Sequence, residues 1–145
     1  MSLIRDDEEA WLAELHGRGT ELLERYRELR DDASIELSAE LDRALADVIE
    51  ARRARLGDLA ERIRARDALP NAGDPDRAFA QVIGDLLGGA ADALADRLVD
   101  AETRWAETLD RAREVDWDGE DRVVLDALAR HIEASRQRFS DARDR

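Results

Sequence analysis

The sequence predicts an all-α protein: a four-helix bundle made of two antiparallel helical hairpins, joined by a crossover that contains a short helix. The first observation is the spacing of apolar residues, which recur every three or four positions along four long segments, as in amphipathic helices. The second is that both prolines of the 145-residue chain, Pro70 and Pro75, lie in one break near its midpoint. Because proline lacks a backbone N–H and clashes with the preceding turn, this break separates the helices into two pairs.

The first hairpin is predicted to consist of helices over residues 6–31 and 34–66. Gly17 and Gly19 weaken the middle of the first helix, but the apolar stripe stays in phase across them. Residues 31–34 form a tight turn with N-cap side chains for the second helix, and so short a connection implies antiparallel helices. The inward positions are Trp11, Leu12, Leu15, Leu22, Leu23, Tyr26 and Leu29, then Leu41, Leu45, Val48, Ile49, Leu56, Leu59 and Ile63.

The crossover covers residues 67–89, which is long enough to run the length of the bundle. A short amphipathic helix is predicted over residues 76–87, ended by Gly88 and Gly89, since two adjacent glycines are a poor helix interior. Two interpretations of its apolar side are open: it is a contact surface for a partner, or it caps the bundle. That side consists of Phe79, Val82, Ile83, Leu86 and Leu87.

The second hairpin is predicted to consist of helices over residues 90–114 and 120–143, joined by a turn at residues 116–119. The turn is indicated by the acidic and glycine residues that interrupt the apolar spacing there. The inward positions are Ala91, Leu94, Leu98, Ala101, Trp105, Leu109 and Ala112 in the first helix, and Val124, Leu125, Leu128, Ile132 and Phe139 in the second.

Composition agrees with a single helical domain over residues 1–145. Aromatic residues make up only 4% of the chain, while 41% of its residues are charged, as expected for helices packed on helices. Cysteine is absent, which excludes disulfides, thiolate catalysis and iron–sulfur ligation. All 23 basic residues are arginines, which fits either a GC-rich genome or adaptation to high salt.

The net charge of −13 makes this an acidic protein and argues against two classes of partner. Nucleic acids and anionic membranes present phosphates, whose binding requires a cationic surface. No apolar run approaches the ~20 residues of a membrane-spanning helix, and no signal peptide is visible. The expectation is therefore a cytoplasmic protein that contacts neither nucleic acid nor membrane.

Four positions interrupt the apolar stripes near the middle of the four long helices: Gly19, Arg52, Glu102 and His131. If the bundle closes, the three polar side chains should approach one another in one central layer. Gly19 would leave room there, and Tyr26 could add a hydroxyl two turns further along its helix. We refer to Arg52, Glu102, His131 and Tyr26 as the central cluster.

The sequence allows three interpretations of the central cluster. A buried charge costs several kcal/mol unless it is paired, so Arg52 and Glu102 could form a structural pair with His131 as a core histidine. Alternatively, Glu102 and His131 could hold a metal ion or a small ligand. In the third interpretation the helical register is different, and Arg52 extends along its stem to solvent.

The sequence contains no catalytic constellation that can be assembled. There is no Ser/His/Asp arrangement and no Gly-rich phosphate loop, and the acidic pairs are too numerous for one to stand out. His16, a lone histidine beside glycine, is interpreted as a structural or solvent-exposed residue. No catalytic residue is therefore predicted.

The chain resembles the ferritin-like superfamily, and within it small bacterial four-helix-bundle proteins of unknown function. The resemblance extends from Leu12 to Arg143. It depends on Leu22-Leu23-x-x-Tyr26, on the proline break with its short helix, on LLGGAADAL at residues 86–94 and on Ala101-Glu102. It implies that the crossover makes the second and third long helices parallel.

The resemblance also implies where a metal site would be, and most of its ligands are absent. Metal-loaded ferritin-like proteins carry a Glu on each of two helices and Glu-x-x-His on each of the other two. Here Gly19 stands at the first Glu position, Ile49-x-x-Arg52 at one Glu-x-x-His and Leu128-x-x-His131 at the other. Glu102 and His131 alone are retained, so no metal or cofactor is expected.

Two functions follow as expectations. The first is a non-catalytic ferritin-like helical-bundle protein that acts through association with itself, as in a homodimer, or with another protein. The alternative is a metal-binding ferritin-like protein, an iron or manganese oxidase, a peroxidase or an iron-handling protein, with a ligand set reduced to Glu102 and His131. A third interpretation, a small apolar or anionic ligand beside Gly19 and Arg52, has less support.

Overall fold

The computed structural model describes residues 7–66, 77–88, 93–117 and 119–143. These residues contain helices and no strand, which confirms the predicted all-α class. The two prolines, Gly89 and Ala91 lie outside the described residues. The helices are α1 (Asp7–Asp31), α2 (Ala39–Arg64), α3 (Arg77–Leu87), α4 (Leu94–Ala112) and α5 (Gly119–Arg143).

Helices α1 and α2 pack together and run in opposite directions. The ion pair between Arg30 and Asp42, 2.9 Å long, joins the end of α1 to the start of α2. At the opposite end, Arg66 just beyond α2 pairs with Glu8 in the first turn of α1 at 2.9 Å. The first predicted pair of helices is therefore antiparallel in the structure.

Helices α4 and α5 form a second antiparallel pair. Arg113, just after α4, contacts Asp126 near the start of α5 at 3.0 Å. Arg143 at the end of α5 contacts Asp96 in the first turn of α4 at 2.7 Å. Both contacts place the end of one helix beside the beginning of the other.

The two pairs meet along two seams, α2 against α5 and α1 against α4. Helix α2 is antiparallel to α5, because Arg62 near its end contacts Asp121 at the start of α5, while Arg138 near the end of α5 contacts Asp47 in α2. Since α4 is also antiparallel to α5, helices α2 and α4 run in the same direction. Helix α3 lies over the other seam, against α1 and α4.

One core fills the space between the helices. Every described residue that the periodicity assigned to the interior is buried except Trp11 and Val124, which are partly buried against the core. The helical period therefore identified the core correctly.

Among the described helices, none combines the length and apolar character needed to span a lipid bilayer.

The start of α2 differs from the prediction by five residues, because the helix begins at Ala39 rather than at residue 34. Asp32 and Ser34 are used in a turn of their own, in which the Ser34 backbone N–H donates to Asp32 Oδ1 at 2.9 Å. The N-cap is Ser38, whose hydroxyl accepts a hydrogen bond from the Leu41 backbone N–H at 3.1 Å. Alternative caps close in sequence cannot be ranked by residue type alone.

Helix α4 ends at Ala112 rather than at residue 114. The indole of Trp117 turns back and donates to the Ala112 carbonyl at 2.7 Å, which also accepts from the Val115 backbone N–H at 3.2 Å. At the other end, Ala93 is the N-cap residue with φ 60° and ψ 24°, and its side chain provides no cap. Residues 90–92 of the predicted helix lie outside the described ranges.

Candidate functional site

Each of the four long helices contributes one side chain to the central cluster. Tyr26 comes from α1, Arg52 from α2, Glu102 from α4 and His131 from α5. Tyr26, Arg52 and Glu102 have no exposed surface, whereas His131 is half-buried. The structure therefore brings together the polar side chains that interrupted the apolar stripes, and Arg52 does not extend to solvent.

Arg52 and Glu102 form a bidentate pair. Arg52 Nη1 donates to Glu102 Oε2 at 2.7 Å, and Nη2 donates to Oε1. Burial lowers the pKa of Arg52, but the charge of Glu102 and its hydrogen bonds raise it by more, so the net direction is upward. Arg52 is thus held in its charged form, and it is paired with a carboxylate in bidentate geometry, the arrangement in which a buried charge is least costly.

His131 accepts a hydrogen bond from the Nε–H of the Arg52 guanidinium. Arg52 Nε donates to His131 Nε2 at 3.0 Å, which requires that nitrogen to be unprotonated. Burial, followed by the charges of Arg52 and Arg55, lowers the pKa of His131 to about 3. The imidazole is therefore neutral near pH 7 and acts as a hydrogen-bond acceptor.

Tyr26 completes the coordination of the carboxylate. Its hydroxyl donates to Glu102 Oε2, the oxygen that also accepts from Arg52. Burial and then the charge of Glu102 raise the pKa of Tyr26 well above its ordinary value, so the phenol keeps its proton. The sequence placed this hydroxyl two turns along the helix from Gly19, but the length of the tyrosine side chain brings it directly onto Glu102.

Trp105 was predicted as a core residue and is also part of the site. Its ring lies with its centroid 4.7 Å from Arg52 Cζ, and the Tyr26 ring lies at 5.6 Å. The indole N–H donates to the Leu15 carbonyl at 3.1 Å, which fixes the ring orientation. Aromatic faces this close to a desolvated guanidinium add a favourable cation–π interaction.

Gly19 provides room for that indole rather than for a ligand. A Cβ atom at position 19 would lie 2.4 Å from Trp105 Cζ2 and 2.7 Å from Leu56 Cδ2. The space that the sequence assigned to a ligand beside Gly19 is thus filled by the chain's own side chains. Gly19 and Trp105 lie at the same level of two different helices. The spacing of residues within one helix does not reveal such a contact.

The donor set does not fit the iron or manganese centre that the resemblance implies. Glu102 and His131, the two retained ligand positions, both hydrogen-bond to Arg52, whose cation lies between them. Among the described residues, no three His, Asp or Glu side chains are grouped so as to hold a metal ion. A dinuclear centre requires several carboxylates to balance its charge, and this layer offers one.

The apolar side predicted on the short helix is divided between the core and the surface. Phe79, Ile83 and Leu87 are buried against α1 and α4, so three of the five residues belong to the core. Their spacing places them on the face that covers the seam, which is the capping role left open by the sequence. Val82 remains 39% exposed, and Leu86 is partly buried.

A second polar network, missed from the sequence, ties three helix ends together. Asp121 in the first turn of α5 is buried and accepts from Arg62 Nε at 2.8 Å and from Arg66 Nη2. Arg66 also contacts Glu8 of α1. An Asp in a first turn is ordinary on a solvated helix, so residue type gave no signal that this one is buried.

His16 lies outside both networks. It is buried in α1, its Nδ1 has no hydrogen-bond partner, and burial followed by the charge of Arg64 lowers its pKa. Of the two roles that the sequence left open for His16, structural or solvent-exposed, its burial agrees with the structural one.

No protein-family model matches this chain, and no curated protein and no solved structure matches it either. The ferritin-like resemblance therefore stays a prediction. What the chain does has to be inferred from its own geometry.

Proposed function

We propose that the chain is a non-catalytic, ferritin-like four-helix bundle of the cytoplasm that acts through association with a second copy of itself or with another protein. One observation carries the proposal: the ionisable groups of the central cluster form hydrogen bonds and an ion pair with one another. Arg52 binds both Glu102 oxygens and His131, and Tyr26 binds Glu102. No member of the cluster is left as a free acid, base or nucleophile for a substrate.

The helix directions support the ferritin-like part of the proposal. Helices α2 and α4 run in the same direction, as a crossover along the length of the bundle requires. Helix α3, the described part of that connection, lies along the seam between α1 and α4. Four helices with neighbours antiparallel and one long connection agree with that topology.

The association surface is placed on the outer side of α3. Val82 and Val123 are the exposed large hydrophobic side chains among the described residues. Helix α3 also borders a groove of ≈ 490 Å³ that is lined by Arg25, Ala80, Gln81, Gly84 and Asp85. Val82 is 39% exposed on this same helix, whereas Val123 lies on α5.

Sedimentation velocity over a wide range of concentrations tests the proposal, with Val82→Glu as the probe and Val123→Glu as its matched control. We expect a concentration-dependent dimer that Val82→Glu weakens at least tenfold and Val123→Glu leaves unchanged. A monomer at every concentration would overturn self-association. A dimer insensitive to Val82→Glu would move the surface elsewhere.

Metal analysis tests the non-catalytic part separately. Protein purified without chelator is expected to contain no stoichiometric iron or manganese and to leave Fe(II) oxidation at its background rate. Stoichiometric metal that is lost in Glu102→Ala would overturn the proposal in favour of the metal-binding alternative.

A further inference from the structure

We infer that the interior of this protein is a guanidinium-binding site, occupied by the chain's own Arg52, rather than a metal site that has lost its ligands. The receptor consists of Glu102, His131, Tyr26 and Trp105, contributed by α1, α4 and α5. Arg52 is its ligand and is tethered to the remaining long helix, α2.

The contacts match what recognises a planar guanidinium. The most specific binding of such a group combines three kinds of contact. A carboxylate accepts two parallel hydrogen bonds from the Nη atoms, a second acceptor binds the Nε–H, and aromatic rings pack on the plane of the guanidinium. Glu102 accepts hydrogen bonds from Arg52 Nη1, at 2.7 Å, and from Nη2, and His131 Nε2 accepts one from Arg52 Nε at 3.0 Å. The Trp105 and Tyr26 rings lie 4.7 and 5.6 Å from Cζ.

The charge of the receptor selects a monocation. Glu102 supplies its single negative charge and His131 is neutral. Tyr26 stays protonated and donates a hydrogen bond to Glu102. One guanidinium makes the buried layer neutral, whereas a divalent ion would leave uncompensated charge in a medium of low dielectric constant. The same groups are therefore complementary to an arginine and poor for Fe²⁺ or Mn²⁺.

Arg52 fills the site, so a free ligand can enter only when that side chain is shortened. Arg52, Glu102 and Trp105 have no exposed surface. Replacing Arg52 by alanine removes the atoms from Cγ outward, which together have the structure of N-ethylguanidinium. That ion is therefore the matched probe for the receptor.

Thermal unfolding of Arg52→Ala, with and without N-ethylguanidinium chloride, tests the inference. At ten times its Kd the ion is expected to raise the midpoint by roughly 3–6 °C. Ethylammonium chloride at the same concentration controls for charge and size without the planar fork, and is expected to give less than half that shift. Wild type and Arg53→Ala, which truncates an exposed neighbour, are expected to show no such difference between the two salts.

Further variants keep the test decisive. Arg52→Ala/Glu102→Gln removes the carboxylate and is expected to abolish the difference between the salts. If Arg52→Ala does not fold in buffer, recovery of its helical circular dichroism by N-ethylguanidinium, and not by ethylammonium, becomes the readout. Equal effects of the two salts on Arg52→Ala would overturn the inference. So would Mn²⁺ binding to Arg52→Ala that is stoichiometric and depends on Glu102.

Discussion

Gly19 of α1 lies directly against the indole of Trp105 on α4, so close that an added Cβ would approach Trp105 Cζ2 to 2.4 Å. Gly17, two residues earlier, is exposed and would meet nothing within 4 Å. The two glycines therefore interrupt the same helix for different reasons. Gly19 is required by packing, whereas Gly17 only weakens the helix.

Gly19→Ala is expected to destabilise the protein by about 2 kcal/mol or more, because overpacking a closed core exceeds the gain in helix propensity. Gly17→Ala is expected to stabilise it by about 0.5–1 kcal/mol, since alanine restricts the unfolded chain and clashes with nothing. Urea unfolding of both variants measures the difference. Equal effects would mean that Trp105 is not packed on Gly19.

Replacing one partner of the buried Arg52–Glu102 pair is expected to lower the free energy of unfolding far more than replacing both partners by apolar residues. Arg52→Met leaves Glu102 buried without its cation and is expected to lower the free energy of unfolding by about 3–5 kcal/mol. Arg52→Met/Glu102→Leu replaces both charges by apolar groups and is expected to recover most of that loss.

Urea unfolding of the two single variants and the double variant, as a double-mutant cycle, checks this prediction. The control is Arg53→Met beside Glu50, an exposed pair 3.7 Å apart, which is expected to change stability by less than about 0.5 kcal/mol. Additive effects of the Arg52 and Glu102 substitutions would contradict the bidentate geometry.

His131 is expected to make stability depend on pH between about 6.5 and about 3. The folded protein binds the imidazole proton with a pKa of about 3, whereas the unfolded chain binds it near 6.5. The unfolded state therefore takes up more protons in this window, so stability is fully present above pH 6.5 and is lost as the pH falls. Allowing for the partial exposure of His131, the loss between pH 7 and pH 5 is about 1–2 kcal/mol.

Urea unfolding of wild type and His131→Gln at several pH values isolates this contribution, because glutamine keeps an acceptor for Arg52 but does not titrate. Other groups, His16 among them, titrate in both proteins and cancel in the comparison. Parallel pH profiles for the two proteins would show that His131 is not held neutral by the fold.

Ala93 is expected to be a point of backbone strain at the start of α4. Its φ of 60° lies in the left-handed region, which costs a residue with a Cβ atom about 1 kcal/mol. Ala93→Gly is therefore expected to raise the free energy of unfolding by about 0.5–1 kcal/mol. Ala54→Gly on the exposed face of α2 is the control, and is expected to lower it by a similar amount. A loss of stability in both variants would contradict the left-handed conformation at residue 93.

Residue spacing was enough to predict the helical class, the extent of the long helices to within five residues and nearly all of the described core. Helical periodicity is a local property, so the inward face of each segment follows from its own residues. For the same reason Arg52, Glu102 and His131 could be recognised as polar residues on apolar faces. The turns were less certain, because Ser34 and Ser38 are chemically equal as caps.

Tertiary structure alone decided what the central residues do. That Arg52 takes both oxygens of Glu102, that Trp105 fills the space left by Gly19 and that Asp121 is buried all depend on how one helix is placed against another. Such placement sets distances between residues far apart in the chain, and no spacing within one helix contains it. The short helix makes the same point: its apolar side was visible in the sequence, but only packing shows that Phe79, Ile83 and Leu87 of that side face the core.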